Sequence, residues 1–549
     1  MLKTPQTAGG AVKNTAELRR ILSLPERDAD QTGEAIAGPL TDMLKKTEGT
    51  MKLRPLQALA LAEALDRDGA VIMLPVGYGK TLVTYLMPKL FPDVKKPLLL
   101  IPAKLREKTR IEFAELREHW KGSDNLEVLS YEMVSTRPEI LSEIAPDMII
   151  ADECQKLKNP KSGVTKRLYR YCKNAESMVF IPLSGTITTR SFVDWWHLQF
   201  WALGPERSVL PNDFRETVTW SEALDEKVKI RRPVGALTEF ADAPDENHIY
   251  NKIREGFGRK IRNVEGIISA HADDLGISLL IDRVTSPTSA AVADALKVLI
   301  ERWETPDGTE LNEAADFWRH AVELSQGFYY RWKEGAPAEW LEKRSACSSY
   351  IRGVLARSRT LDTPGQVFSD RADSGAVREW LEIKPTYTPE TEAVWISKNL
   401  LDNVSRFGGA IWVEHVAVGE ALERNYGIPY YRQEAKTAQR RHIYDHDSGP
   451  AALSIAACSE GLNLQAKFSN NLVLSPPSSG ARWEQMLGRT HRQGQTEDEV
   501  TVIVLTQTQT TQKNFAQARA DAEYIERITG QQQKLNLADY MENINGKLF

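Results

Sequence analysis

Residues 70–81 read Ala70-Val71-Ile72-Met73-Leu74-Pro75-Val76-Gly77-Tyr78-Gly79-Lys80-Thr81, an apolar run entering a loop of glycines that ends on a lysine and a hydroxyl. The stretch Leu82 to Leu90 continues it in a helix-compatible pattern, so the segment predicts strand, loop and helix in that order. That context suits phosphate binding: Gly77 and Gly79 let backbone amides come close to an anion, and a helix N-terminus favours negative charge. Lys80 would then bridge the β- and γ-phosphates of a nucleotide, and the Thr81 hydroxyl would ligate Mg²⁺. The full GxxxxGK[ST] pattern is not met, because Leu74 stands at its first glycine. An ordinary Gly-rich turn is therefore the competing reading.

Around this segment, short apolar runs recur at Pro97–Pro102, Leu126–Leu129, Asp147–Ala151 and Met178–Leu183, with helical patterns such as Lys104–Trp120 between them. Continuous apolar strands separated by helices predict an α/β fold with parallel sheet covered on both faces. Residues from about 190 to 390 break the rhythm and are tryptophan-rich; Trp195, Trp196, Trp201, Trp220, Trp303, Trp318, Trp332, Trp340 and Trp380 lie there. The rhythm returns at Ala410–Glu414, Leu453–Ala457, Asn471–Leu474 and Val500–Leu505. The expected organisation is an N-terminal extension over 1–50, a first lobe over 51–205 and a mostly helical insertion and linker over 206–394. A second lobe over 395–512 and a C-terminal helix and tail over 513–549 complete it.

The 549 residues allow several domains, and a formal net charge of -5 gives no global nucleic-acid signature, although local basic strips can still grip phosphates. Cys154, Cys172, Cys347 and Cys458 form no CxxC pair, which argues against a zinc site or a disulfide framework and suits a reducing compartment. The N-terminus lacks an apolar signal core, and no apolar run approaches the ~20 residues that cross a bilayer, so a cytoplasmic protein with no membrane partner is expected.

Two further segments sharpen the reading. Asp147-Met148-Ile149-Ile150-Ala151-Asp152-Glu153 ends an apolar run in paired carboxylates; Asp152 can hold Mg²⁺, and Glu153 can polarise an attacking water. Far downstream, Arg482-Trp483-Glu484-Gln485-Met486-Leu487-Gly488-Arg489-Thr490-His491-Arg492-Gln493-Gly494-Gln495 carries two arginines three residues apart that can supply charge to a γ-phosphate.

Together these segments resemble the superfamily 2 helicase-type ATPases, and more narrowly the Swi/Snf-type translocases. Leu53-Arg54-Pro55-Leu56-Gln57 resembles the family's LxxYQ element, which implies that Gln57 recognises adenine. Gly77–Thr81 resembles motif I, Leu99–Ala103 motif Ia, and Ser130-Tyr131-Glu132 the following element. Asp152–Asn159 is similar to DEAHxxKN with Gln155 in place of His, and Leu183–Thr186 resembles motif III. Ser459–Gln465 resembles motif V, and Pro476–Gln495, ending RTHRQGQ, resembles the family's QAxxRxHRxGQ segment, motif VI. The resemblance covers about 50–205 and 395–510, and implies two RecA-like parallel-sheet lobes of the P-loop NTPase type. It further implies that Gln485, Arg489 and Arg492 face the nucleotide, with Arg492 as arginine finger. The activity implied is Mg²⁺-dependent ATP hydrolysis driving movement along DNA, duplex by preference, in replication, repair or recombination of a bacterium or phage. A strand-separating helicase and an ATP-gated loading factor with little hydrolysis are the alternatives.

Smaller features carry a plainer reading beside the chemical one. The basic run Lys156, Lys158, Lys161, Lys166, Arg167, Arg170 and Lys173 is either a solvated helix face or a phosphate contact, and Gln439-Arg440-Arg441-His442 is a second basic cluster that could touch the other strand's backbone. His491 is expected to pack or hydrogen-bond rather than act as a base, and His415 to close a strand or approach the ligand. The tryptophans of the insertion suit a core or a protein interface better than base stacking.

Overall fold

The computed structural model describes residues 10–27, 33–74, 77–175, 178–188, 190–226, 228, 231–242, 248–269, 277–285, 287–311, 314–358, 361, 364–388 and 390–544. Pro75 and Val76 of the glycine loop lie outside the described residues, as do the ends of the N-terminal extension and the C-terminal tail. Strands β1 (Val71–Met73), β2 (Pro97–Ile101), β3 (Glu127–Ser130), β4 (Met148–Asp152), β5 (Val179–Ser184) and β6 (Ile267–Ser269) form a six-stranded sheet. Its order is β3-β2-β4-β5-β1-β6, and every pairing is parallel.

The chain continues through β7 (Ser278–Thr285), a separate antiparallel pair β8 (Phe328–Trp332) and β9 (Thr391–Trp395), then β10 (Ala410–Val413), β11 (Tyr430–Tyr431) and β12 (Ala451–Ser454). Strands β13 (Asn470–Val473), β14 (Glu499–Leu505) and β15 (Asp539–Ile544) complete it. The second sheet has seven strands in the order β11-β12-β10-β13-β14-β7-β15, again wholly parallel.

Side chains of a strand alternate between faces, so a sheet that is apolar on both must be covered on both. Ile72, Leu99, Ile101, Met148 and Ile150 join one core, while Val71, Met73, Leu98, Leu100, Ile149 and Ala151 join the other. In the second sheet Ala410, Trp412, Leu453, Val500 and Val502 face one core and Ile411, Val413, Ala452 and Leu472 the opposite one. Among the described residues no helix is long and apolar enough to cross a membrane.

The spans read from sequence as a helical insertion and a closing tail are distributed between the sheets. β6 pairs with β1, and the helix Ile249–Asn263 buries Ile253, Phe257 and Ile261 in the first sheet's core. β7 lies in the second sheet between β14 and β15, so residues 539–544 form an edge strand. The sequence hides these strands for physical reasons. Ile267-Ile268-Ser269 is too short to show a period, whereas β7 and β15 carry charges in mid-strand. Arg283 and Glu542 are register partners and pair at 3.1 Å. Of the tryptophans in this span, Trp195 and Trp220 are fully buried, whereas Trp303 and Trp318 are exposed.

The 21-residue helix Gln509–Thr529 belongs to both halves of the molecule. Phe515, Ala518 and Ala522 pack in the second sheet's core; Tyr524, Ile525 and Ile528 pack in the first's. Truncating a fully buried isoleucine removes both transfer energy and packing, about 2–5 kcal/mol. Ile525→Ala is therefore expected to lower the urea midpoint of unfolding sharply, and an unchanged midpoint would show that this helix does not brace the first core.

Candidate active site

Parallel strands end on one edge of their sheet, and ligands of such sheets sit outside that edge. β4, β5 and β1 are successive neighbours, so the segments following each of them lie side by side there. After β1 comes the glycine loop. Gly77 and Gly79 adopt φ of 95° and 71°, left-handed values that favour glycine. A Cβ on Gly79 would collide with the Gln57 carboxamide. Gln57 is buried at the start of helix Pro55–Asp66; its Nε2 donates to the Tyr78 carbonyl at 2.9 Å, and its Oε1 accepts from the Arg54 backbone at 3.0 Å. Gln57 thus holds the loop in shape. Lys80 opens helix Lys80–Leu90, and its Nζ donates to the Leu74 carbonyl at 2.9 Å. The Thr81 hydroxyl donates to Glu112 Oε2 at 2.9 Å.

After β4 come the paired carboxylates. Asp152 Oδ1 accepts the Glu153 backbone N–H at 3.0 Å, and Glu153 itself holds φ 54°, a conformation non-glycine residues rarely adopt. Gln155 Nε2 donates to Glu153 Oε2 at 2.6 Å, while its Oε1 accepts from the Ser184 hydroxyl at 2.7 Å. Ser184 Oγ accepts the Thr186 N–H at 2.9 Å. Gln155, standing where the resembling family has histidine, therefore links the loop after β4 to the loop after β5. The Tyr131 hydroxyl donates to the Asp152 carbonyl at 2.7 Å.

The second sheet presents its arginines to this edge. Trp483, fully buried against Phe515, fixes helix Gly480–Leu487. Gln485, half-buried on that helix, accepts Arg489 Nε through its carbonyl at 2.9 Å. Arg489 also donates to the Leu462 carbonyl at 2.9 Å, and Arg492 Nη1 donates to Asn463 Oδ1 at 2.6 Å. A Cβ placed on Gly77 would lie 3.3 Å from Arg492 Cβ, so the two halves meet at the glycine loop. Arg492 Nε is buried and finds no hydrogen-bond partner among the described residues. Lys104 and Glu460 pair across the same seam at 2.6 Å.

The site's electrostatics follow from this crowding. Burial, then Glu153 alongside, pushes the Asp152 carboxyl up to about 7 against the pull of Lys80 and Lys108. Burial and then Arg492 bring Arg489 down to about 10, with Glu153 opposing. Burial lowers Arg492 as well, with Glu112 opposing. Burial holds Lys108 below its usual range despite Glu112, and Arg489 and Arg492 lower it further.

Gln57, Gly77, Gly79, Lys80, Thr81, Asp152 and Glu153 thus gather at the first sheet's edge, and Gln485, Arg489 and Arg492 at the second's. Lys108, Glu112 and Asn463 belong to the same cluster and were not singled out from sequence. Their only signal is a Lys-Glu pair at i,i+4 after Ile101-Pro102, and an asparagine within Ser459–Gln465. His491 is fully buried, its Nε2 2.9 Å from the Ile277 carbonyl and its Nδ1 3.1 Å from Lys534 Nζ, which suits packing rather than base chemistry. His415 is half-buried and lies against the rings of Phe328 and Tyr330. In the basic run, Arg167 is buried and donates to the Val134 carbonyl at 2.6 Å, while Lys156, Lys158, Lys161 and Lys173 are exposed. Arg441 pairs with Asp447 at 2.7 Å. No model of a known protein family matches the chain, and a search of curated proteins finds no match either.

A carboxyl whose folded value is raised binds a proton that the unfolded chain has already lost, so folding stability falls as pH rises between the two values. For Asp152 that window runs from 3.8 to about 7. In metal-free, nucleotide-free protein, Asp152→Asn should therefore raise the melting temperature more at pH 8 than at pH 5. Equal shifts at both would contradict the charge crowding.

Proposed function

We propose that the chain is an ATP-driven DNA motor, a translocase of the superfamily 2, Swi/Snf-type class built on two RecA-like lobes. The observation that carries this reading is the approach of Arg492, from the second sheet, to Gly77 of the first sheet's glycine loop. A nucleotide held by one lobe and completed by arginines from the other ties hydrolysis to lobe closure. A binding domain without hydrolysis would have no need for Glu153 and the arginine pair.

The donor set fits both groups the reading requires. Asp152 and Glu153 repel each other at a strand end, which a divalent cation would relieve, and Arg492 Nε, without a partner among the described residues, could take the acceptor that a phosphate oxygen would supply. Thr81 and Asp152 would hold Mg²⁺, which when bound neutralises phosphate charge. Backbone amides of Gly77–Thr81 and the Lys80 ammonium would bind the phosphates. Glu153 would take the proton of the attacking water, and Gln155 fixes the carboxylate that does so. Arg489 and Arg492 would balance the charge that builds on the γ-phosphate. Gln57 would recognise adenine only by exchanging its present bonds to the loop, so base recognition and loop shape are coupled.

ATP turnover should be measured without nucleic acid and with single-stranded DNA, duplex DNA or RNA, beside Lys80→Ala. The expected result is stimulation by duplex DNA with no displacement of an annealed strand, abolished in Lys80→Ala. Strand displacement would favour the helicase reading, and stimulation by RNA alone would sink the assignment. Arg492→Ala should lower turnover by about 10³-fold while nucleotide affinity changes little.

A further inference from the structure

We propose that Glu112 is a positioning residue for the metal ion of the nucleotide site: it takes the proton of the Thr81 hydroxyl and so leaves that oxygen's lone pairs to the metal. This role rests on the ATP reading above, and adds a residue that lies outside the glycine loop, the paired carboxylates and the arginines. Glu112 belongs to the helix Arg106–His119 that follows β2, and Thr81 to the helix Lys80–Leu90 that follows the glycine loop.

The Thr81 hydroxyl donates to Glu112 Oε2 at 2.9 Å, and Lys108 Nζ, one turn back on the same helix, lies 3.4 Å from Oε1. Both oxygens of the carboxylate are thereby engaged, one by each partner. A threonine hydroxyl carries one proton and two lone pairs, and only the lone pairs can serve a cation. Left alone, the hydroxyl rotates and its proton competes for the side on which a metal ion binds. Fixed on Glu112, it offers lone pairs only. Outer groups that orient a metal ligand in this way are worth roughly 10–100-fold in metal affinity.

A plainer role would be to tie two helices together, and the packing makes that unnecessary. One turn further from the glycine loop, Tyr85 and Phe113 hold the same pair of helices, their ring centroids 5.1 Å apart, and Leu86 and Leu116 are buried in the core with them. Glu112 itself is 26% exposed and fills no core. Its charge is felt by Arg492, and that of Lys108 by Asp152, Arg489 and Arg492, so the pair stands in the cleft where the two halves meet. Asp152 and Glu153 already make that cleft acidic, and phosphates would add to the negative charge. A third carboxylate is repulsive there on its own. Lys108 offsets its charge, and the bond to Thr81 gives it a task.

The test compares binding of a fluorescent, non-hydrolysable ATP analogue to the full chain in EDTA and in saturating Mg²⁺; the ratio of the two affinities is the gain due to the metal ion. Glu112→Ala should cut that gain about tenfold or more, while its affinity in EDTA is no weaker than the parent's, because the residue serves the metal and not the phosphates. Thr81→Ala should cut the gain as well. The double variant should lose no more than Thr81→Ala alone, since Glu112 acts only through the hydroxyl. A gain in Glu112→Ala equal to the parent's, a matching loss of affinity in EDTA, or additive losses in the double variant would overturn the proposal and leave the ATP reading intact. A parent chain that binds the analogue no better with Mg²⁺, or a Lys80→Ala variant that binds it as well as the parent does, would overturn that reading and the proposal with it.

Discussion

The geometry of the candidate site depends on one helix lying in two cores. Gln509–Thr529 contributes apolar side chains to both sheets' packing, and the residues after it tie the site together from behind. Gln531 donates its amide to the Gly185 carbonyl in the loop after β5. The Lys534 backbone N–H donates to Glu484 Oε2 at 2.7 Å on the helix that leads to the arginines. Gln531, Lys534 and Glu484 are all nearly inaccessible to solvent, so separating these partners would leave polar groups buried and unpaired. The loop after β5 and the arginine loop are therefore held in register by a strap only a few residues long. Gln155 continues that line to Glu153.

Charge sets the second constraint. Lys80, Lys108, Arg489 and Arg492 converge on a cleft whose carboxylates are Glu112, Asp152 and Glu153. Burial lowers the proton affinity of Lys108 and both arginines and raises that of Asp152, as follows from like charges crowded into one sheltered cleft. An anion bridging the cations would relieve the repulsion between Arg489 and Arg492, while a cation would relieve that between Asp152 and Glu153. A triphosphate with its metal ion supplies both at once.

The strands that frame the glycine loop were legible because they are buried on both faces and read as continuous apolar runs. Val71–Met73, Pro97–Ile101 and Met148–Asp152 lie within a few residues of their expected bounds. Edge and polar strands were not: Asp539–Ile544 and Ser278–Thr285 pair charges across their register, and no hydrophobic period marks them. The residues gathered at the cleft were legible where a local pattern carries them, as in Gly77–Thr81 or Asp152-Glu153. Lys108 and Glu112 were not, because each acquires its meaning only from partners brought near by folding.

The central claim is that one triphosphate is held jointly by Gly77–Thr81 and the arginines of the second sheet. The most direct measurement is a crystal structure with Mg²⁺ and a non-hydrolysable ATP analogue. The γ-phosphate is predicted to lie between Lys80 and Arg492, with the metal ion on Thr81 and Asp152. A nucleotide bound elsewhere, or one held at the glycine loop with Arg489 and Arg492 still engaged only with Leu462, Gln485 and Asn463, would contradict it.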